Sequence, residues 1–217
     1  MRTVLLIAAV LGCVLTPSLA KVGVDVSSAV GQSAWKCLQS PGGQGPVELA
    51  LVRVYRSYGS VDPNAAATIA NANNAGIPRV DGYIFPCVSC GDPAGQVEDA
   101  VNATGDSVSV YWYDIENYKW STDVNANREF IKAMVDYGKR RGINAGIYTN
   151  LYNWESITGG KTWNYPSSQG LPLWYAHYDG NPSFSDFQAF GGWRAPFMKQ
   201  YLGDKTSCGV SLDYNFF

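Results

Sequence analysis

The sequence VSVYWYDIE, residues 108–116, decides the fold. Valine and aromatic residues dominate it, as they do in β-strands, and it ends on Asp114 and Glu116. Because side chains alternate between the two faces of a strand, these two carboxylates are predicted to point to the same face. We expect them to lie about 7 Å apart along the backbone.

A helix is predicted after this strand. Residues 123–141 carry apolar side chains at helical spacing, and Gly142 follows as a stop. Two earlier helices are predicted to begin at Asp62 and Asp92. Each of these aspartates can cap free backbone amides, and the proline that follows it suits the first helical position.

Seven further strand-like runs lie on both sides of residues 108–116. They are VGVDVS (22–27), LALVRVY (49–55), VDGYIFP (80–86), NAGIYTN (144–150), LPLWYAHYD (171–179), FQAFGG (187–192) and VSLDYNFF (210–217). Strands that alternate with helices pair in parallel, and eight of them can close a barrel whose functional groups gather at the carboxyl ends of the strands.

The helical pattern fades after the fifth of these strands, so about five helices and short links between the last three strands are expected. The sequence therefore predicts an α/β fold in which residues 21–217 form one domain. That domain is a single eight-stranded TIM-like barrel with an incomplete helical coat.

Four carboxylates are predicted to meet at the mouth of this barrel. Asp25 and Asp213 lie late in the first and last strands, while Asp114 and Glu116 end the fourth. Two carboxylates held close in a cleft repel each other's charge, so at least one binds its proton more tightly and becomes a candidate general acid. Glycoside hydrolysis needs such a pair: one group protonates the leaving oxygen and the other stabilises positive charge at the sugar carbon.

Aromatic side chains near the same mouth are the candidates for substrate binding. Their rings suit the flat apolar faces of sugars, and the tyrosines add hydroxyl hydrogen bonds. The candidates are Tyr83, Phe85, Tyr148, Trp174 and Tyr175.

The ordered set GVDVS, WYDIE, IYTN, LWYAHY and LDYN resembles the glycoside hydrolase family 25 lysozymes, the Chalaropsis-type muramidases. The resemblance spans nearly all of residues 21–217, and it implies an eight-strand barrel with fewer helices than strands. One departure is Ile84, which stands between Tyr83 and Phe85 where the family often has a histidine.

The resemblance implies a lysozyme that cuts the β-1,4 bond from N-acetylmuramic acid to N-acetylglucosamine in bacterial peptidoglycan, with net retention and no cofactor. It implies that Glu116 is the general acid and base, that Asp114 orients or charges the substrate's N-acetyl group, and that Asp25 and Asp213 support this pair. Either the acetamido oxygen of the substrate or a carboxylate can serve as the nucleophile.

Three other functions compete with this interpretation. A chitinase-like enzyme would need acids where the chain has Ser109 and Trp112. A barrel that binds peptidoglycan or chitin-type sugars without turnover is disfavoured by the intact Asp114 and Glu116. A hydrolase that uses Mg²⁺ or Ca²⁺ would require the acidic cluster to bind the ion, for which oxygen ligands suffice.

The chain opens with a charged residue, an apolar run and a small-residue cleavage pattern, so residues 1–20 are predicted to be a secretory signal peptide. Secretion, or delivery to a lysosome-like lumen, would place the remaining cysteines in an oxidising compartment. We expect two disulfides: Cys87 with Cys90, which are close in sequence, and Cys37 with Cys208. The second pair fits if the last strand starts at the base of the barrel.

Composition argues against several partners. The formal net charge is −2 and the chain lacks the basic stripe of a nucleic-acid binder. His177 is its only histidine, so a multi-histidine zinc site is excluded, and no metal is predicted. No run after residue 20 is long and apolar enough to span a membrane. A monomer that acts on peptidoglycan glycan strands is expected.

Overall fold

A computed structural model describes residues 21–40 and 44–217. The predicted signal peptide, residues 1–20, lies outside them. The strands are β1 (Val22–Val26), β2 (Val47–Arg56), β3 (Ser60–Val61), β4 (Arg79–Ile84), β5 (Tyr111–Asp114), β6 (Ala145–Thr149), β7 (Leu173–Ala176), β8 (Met198–Ser207) and β9 (Val210–Phe216). The α-helices are α1 (Gln32–Leu38), α2 (Ala65–Ala75), α3 (Pro93–Thr104), α4 (Val124–Arg141), α5 (Leu151–Thr158) and α6 (Tyr165–Ser168).

Eight of these strands close a barrel, which confirms the predicted fold class. Their order is β1-β9-β8-β7-β6-β5-β4-β2, and the pairing of β1 with β2 closes the ring. The short β3 pairs only with the end of β2. The described part of the chain contains six α-helices, one more than the approximate number expected, and the sixth is a single turn.

The last strand differs from the parallel pairing that the sequence predicts. β9 pairs antiparallel with both of its neighbours, β8 and β1. The reason is its connection: only Cys208 and Gly209 join β8 to β9, and both have positive φ, 52° and 74°. A two-residue turn of that kind forms a hairpin, whereas a parallel crossover needs a dozen or more residues.

The predicted seventh strand, residues 187–192, is wrong. In this segment Phe190 forms only an isolated bridge, with Trp193. The strand at this place in the barrel is β8, which has ten residues and begins later, at Met198. Lys199, Gln200 and Asp204 made β8 look polar in sequence. The first two are nevertheless buried, because each finds hydrogen-bond partners elsewhere in the fold.

Of the three helix starts predicted from the sequence, those at Asp92 and Asp123 agree with the structure and the one at Asp62 does not. Asp123 caps α4 and Gly142 ends it in the left-handed conformation, and Asp92 caps α3 as predicted. The helix predicted to begin at Asp62 begins later, at Ala65. Asp62 Oδ2 accepts a hydrogen bond from the guanidinium of Arg53 at 2.9 Å, and Asp62 Oδ1 accepts one from the backbone N–H of Asn64, just before the helix, at 3.0 Å.

Strand alternation divides the core into two parts. Side chains on the outer face of the barrel pack against the helices, and those on the inner face fill its interior. The inner core consists of Leu49, Leu51, Trp112, Tyr148, Trp174, Ala176 and Met198. This separation decides which polar residues reach the mouth of the barrel.

Both favoured disulfides are present, Cys87 with Cys90 and Cys37 with Cys208. The expected location of Cys208 is wrong. Because β9 runs antiparallel to β1, its first residues lie beyond the carboxyl end of β1 and not at the base. Among the described residues, no helix has the length and apolarity to cross a bilayer.

Candidate active site

Asp114 and Glu116 point into the barrel because Ile115 between them points out. Ile115 is fully buried in the outer core, and its backbone N–H donates to the carbonyl of Tyr148 at 2.9 Å. The hydroxyl of Thr149 donates to the Ile115 carbonyl at 2.7 Å. The strand geometry thus continues one residue past β5, and both carboxylates face the same cavity, as the sequence predicts.

Asp25 and Asp213 reach this cavity from the other side. They lie directly opposite each other on the antiparallel strands β1 and β9, and we call them the inner pair. Like charges directly opposite in a sheet are destabilising, so this pairing carries an energetic cost. The structure therefore gathers the four predicted carboxylates around one cavity of about 230 Å³ at the carboxyl ends of the parallel strands.

The environment of Asp114 and Glu116 favours their protonated forms. Asp114 is buried, and its Oδ1 finds no hydrogen-bond partner among the described residues. Burial, with the charges of Glu116 and Asp25, holds the pKa of Asp114 well above its ordinary value. Burial also raises the pKa of Glu116. A carboxyl group that keeps its proton toward neutral pH can act as a general acid.

The inner pair is similarly perturbed. Burial, followed by the charge of Asp213, raises the pKa of Asp25 to about 8, although Asn215 and Gln200 donate hydrogen bonds to Asp25 Oδ2 at 2.7 and 2.9 Å. Burial raises the pKa of Asp213 as well, against the hydrogen bond that the Asp204 backbone N–H donates at 2.7 Å.

Four of the five predicted aromatic residues line the cavity, namely Tyr83, Phe85, Tyr148 and Trp174. Tyr175 does not. It lies on the outer face of β7, where its ring packs against Phe187 at 5.2 Å between centroids. Trp174 and Tyr175 are adjacent in one strand, so only one of them can face inward.

The Ile84 departure has a simple structural reading. Ile84 is fully buried in the outer core and is absent from the cavity lining. The aromatic residues on either side of it face the cavity, as alternation requires. The departure at Ile84 therefore lies outside the described lining of the cavity.

Sequence reasoning missed four polar residues of the cavity, Arg53, Tyr178, Gln200 and Ser27. Alternation would have found the first two, because Arg53 continues the inward series of β2 and Tyr178 continues that of β7. Gln200 lies on the strand that was not predicted. The guanidinium of Arg53 is bonded to Asp62 and to the carbonyl of Ser27, at 2.9 and 2.7 Å.

A second acidic cluster lies on the outer face of the barrel. Asp179 and Asp186, which we call the outer pair, lie with His177 in a spacing that could hold a metal ion. The ammonium of Lys199 already occupies the cation position, 2.8 and 2.7 Å from the two carboxylates and 3.1 Å from the carbonyl of Ser183. A metal ion would have to displace this buried ammonium.

Comparisons with known proteins place the chain among lysozymes. The lysozyme-like protein 1 family matches residues 16–201. The protein described as "Probable GH family 25 lysozyme 2" of Dictyostelium discoideum is 42% identical over 198 residues, which cover 90% of each chain. "Lysozyme-like protein 5" of Caenorhabditis elegans is 41% identical over 205 residues, which cover 92% of each chain.

A solved structure shares the barrel. The family GH25 lysozyme from Aspergillus fumigatus superposes with a TM-score of 0.72 at 19% identity, over 91% of this chain and 93% of that chain. At this level of identity the likeness concerns the fold. It agrees with the closed eight-strand barrel described above.

Proposed function

The chain belongs to the glycoside hydrolase family 25 lysozymes, and from this premise we propose that it hydrolyses the β-1,4 bond from N-acetylmuramic acid to N-acetylglucosamine in bacterial peptidoglycan. The observation that carries the proposal is the cavity that Asp114 and Glu116 line together with the inner pair. In this cavity burial, followed by the charge of Glu116, raises the pKa of Asp114. Glycosidase chemistry needs one carboxyl group that holds a proton and another group that stabilises positive charge.

Glu116 is proposed as the proton donor. Its proton passes to the glycosidic oxygen as the bond from that oxygen to the anomeric carbon breaks, which releases the first sugar product. Glu116 then takes a proton from the water that attacks the anomeric carbon, and the acid is restored. Its partly buried position, which raises its pKa, supports this role.

Asp114 is proposed to orient the substrate's acetamido group. The acetamido oxygen attacks the anomeric carbon from the face opposite the leaving group, and a second attack by water gives net retention. The buried Asp114 Oδ1, which lacks a partner among the described residues, is available to accept a hydrogen bond from the acetamido N–H. That bond would hold the acetamido oxygen near the reacting carbon.

The proposed setting is outside the cytoplasm. The sequence of residues 1–20 supports export, and the two disulfides are typical of proteins that fold in an oxidising compartment. Detection of the mature chain beginning at Lys21 in the medium or in a vesicle lumen would test this. An intact leader on a cytosolic protein would contradict it.

The reaction is tested by digesting purified Gram-positive peptidoglycan and identifying the new reducing ends. We expect N-acetylmuramic acid at those ends. N-acetylglucosamine ends would contradict the proposed bond, and tight binding without new ends would identify a sugar-binding barrel that lacks turnover. The Glu116→Gln variant, purified in the same way, is the control for contaminating lysozyme.

A further inference from the structure

Gln200 forms hydrogen bonds with four side chains that line the cavity. Its side chain is 2% exposed. Its Oε1 accepts hydrogen bonds from the hydroxyls of Tyr148 and Tyr178, both at 2.6 Å. Its Nε2 donates to Asp25 Oδ2 at 2.9 Å and to Asp213 Oδ2 at 3.1 Å. Both amide hydrogens and both lone pairs of the amide oxygen are therefore used.

The direction of this amide is fixed by its neighbours. Tyrosine hydroxyls that donate to Oε1 leave Nε2 facing the inner pair, where carboxyl oxygens accept its two hydrogens. A second series of hydrogen bonds reaches Asp25 from the other side. The Trp174 indole N–H, which can only donate, bonds to Asn215 Oδ1 at 2.7 Å, and this directs Asn215 Nδ2 to Asp25 at 2.7 Å.

We propose that Gln200 is a positioning residue for the reaction. Its uncharged amide donates two hydrogen bonds that hold the inner pair in place, and hydrogen bonds from Tyr148 and Tyr178 fix the orientation of the amide. This inference rests on the proposed function, since it assigns a role within that same site. Gln200 does not transfer a proton. It acts through Asp25 and Asp213, and the charge of Asp25 in turn adds to the burial that raises the pKa of Asp114.

An amide suits this position better than other side chains would. A lysine or arginine would neutralise the inner pair, as Lys199 does for the outer pair. A glutamate would add a fifth carboxyl group to the cavity. An apolar side chain would leave two carboxylates and two hydroxyls without their buried partner, which costs more than the bonds contribute when made.

Several titratable groups face the inner pair and Gln200, and any pH experiment reports on all of them. They are Arg53 from β2, Tyr83 from β4, Asp114 and Glu116 from the end of β5, Tyr148 from β6, Tyr178 after β7, and Asp204 from β8, which lies beside Asp213. A matched control is therefore needed. Gln96 on α3 provides it, because its buried amide makes three hydrogen bonds to the backbone of Cys87 and Gly91, none of them to a cavity residue.

The first experiment compares Gln200→Met with Gln96→Met in kcat, KM and the pH profile of peptidoglycan hydrolysis. We expect Gln200→Met to lose about 100-fold in kcat, the size of effect that misplaced catalytic groups produce. Loss of two donors disfavours the ionised inner pair, so the limb of the profile that reports this pair moves to higher pH. Gln96→Met should lose thermal stability and keep the wild-type profile.

The second experiment uses Gln200→Glu. Below the pKa of the new carboxyl group, that group is neutral and supplies one donor and one acceptor, so activity should recover above that of Gln200→Met. At higher pH the new charge should abolish the recovery. Equal activity of the two variants at every pH, or identical profiles for Gln200→Met and Gln96→Met, would overturn the proposal.

A third measurement needs no turnover and separates this inference from the proposed function. The Tm difference between wild type and Gln200→Met should widen as the pH rises through about 8, the pKa of Asp25, because the variant's inner pair keeps its protons to higher pH. The Gln96→Met difference should not change with pH. An inactive wild type would overturn the proposed function, whereas an active wild type with a pH-independent difference would overturn the role of Gln200.

Discussion

The inner and outer pairs are two sets of aspartates that lie on opposite faces of one strand. Gln200 bonds to the inner pair, and its neighbour Lys199, which is fully buried, bonds to the outer pair. Adjacent residues of β8 thus face opposite sides, as alternation requires. The two clusters differ in the charge of the side chain that holds them, and also in exposure: Asp25 is buried, whereas Asp179 is exposed and Asp186 is half-buried.

That difference has opposite effects on the carboxylates. Burial raises the pKa of Asp25 to about 8, since amide donors do not offset it. Burial also acts on Asp186, but hydrogen bonds from Lys199 and His177 outweigh it and lower the pKa to about 2. With hydrogen bonds from a cation the pKa of the half-buried Asp186 stays low, whereas amide donors leave the pKa of the buried Asp25 near the pH range in which enzymes move protons.

The largest expected effect concerns the acid in the cavity. Glu116→Gln should reduce kcat about 1,000-fold, because the amide cannot donate a proton to the leaving oxygen. The matched change in the outer cluster is Asp186→Asn, which should keep most of the wild-type kcat at a temperature where the variant is folded. Release of reducing ends from peptidoglycan measures both. Comparable losses would contradict the division between catalytic and structural clusters.

The next effect is on stability. Lys199→Met should lower the free energy of unfolding by about 3 kcal/mol, because it removes the buried ammonium that pairs with both aspartates of the outer pair. The loss is limited because these aspartates are partly exposed and can be hydrated. Urea unfolding at neutral pH measures this. Lys205→Met, an exposed change on the same strand, should stay within about 0.5 kcal/mol of wild type. Equal stability of the two variants would contradict the anchoring role.

The pH dependence of stability should differ in sign between the clusters. Asp25 has a raised pKa, so its contribution is full below about pH 4 and is lost as the pH rises through about 8. Asp186 has a lowered pKa, so its contribution is present above about pH 4 and is lost as the pH falls through about 2.

Urea midpoints measured across this pH range test that difference. Asp25→Asn should weaken the alkaline decline, and Asp186→Asn should weaken the acid decline. If both substitutions alter the same limb, the contrast between the clusters is wrong.

The smallest expected effect is that of a chelator. EDTA should leave both activity and Tm unchanged within error, because among the described residues only His177, Asp179 and Asp186 are spaced to hold a metal ion, and the ammonium of Lys199 occupies that cluster. Loss of activity that added Ca²⁺ or Mg²⁺ restores would instead support an ion-dependent hydrolase. Lys199→Met offers a sharper form of the test, since only that variant leaves the outer pair free to bind an added ion.

Local rules account for most of the correct predictions. The i, i+2 spacing of Asp114 and Glu116 depends only on strand alternation, and the cap at Asp92 depends only on nearby backbone amides. The error at Tyr175 came from neglecting that same alternation. At Asp62 the helix begins three residues later than predicted, and the carboxylate is shared between the guanidinium of Arg53 and the backbone N–H of Asn64.

The β8 strand marks the limit of such reasoning. Its sequence MKQYLGDKTS lacks the apolar alternation that is typical of a half-buried strand. Lys199 faces the outer pair and Gln200 faces the cavity, and both are polar. Lys199 and Gln200 are stable in the interior only because acids from residues 25, 179, 186 and 213 meet them there. Those partners are up to 175 positions away in the chain.

The sequence by itself determined the strand that ends on Asp114 and Glu116, the barrel class and the four carboxylates, because these follow from composition and short-range periodicity. Tertiary structure alone decided that Asp213 lies opposite Asp25 on an antiparallel strand and that an amide holds them. The physical reason is that the proton affinity of a buried carboxylate depends on solvent exclusion and on charges within a few ångströms. Those distances arise only when the barrel closes.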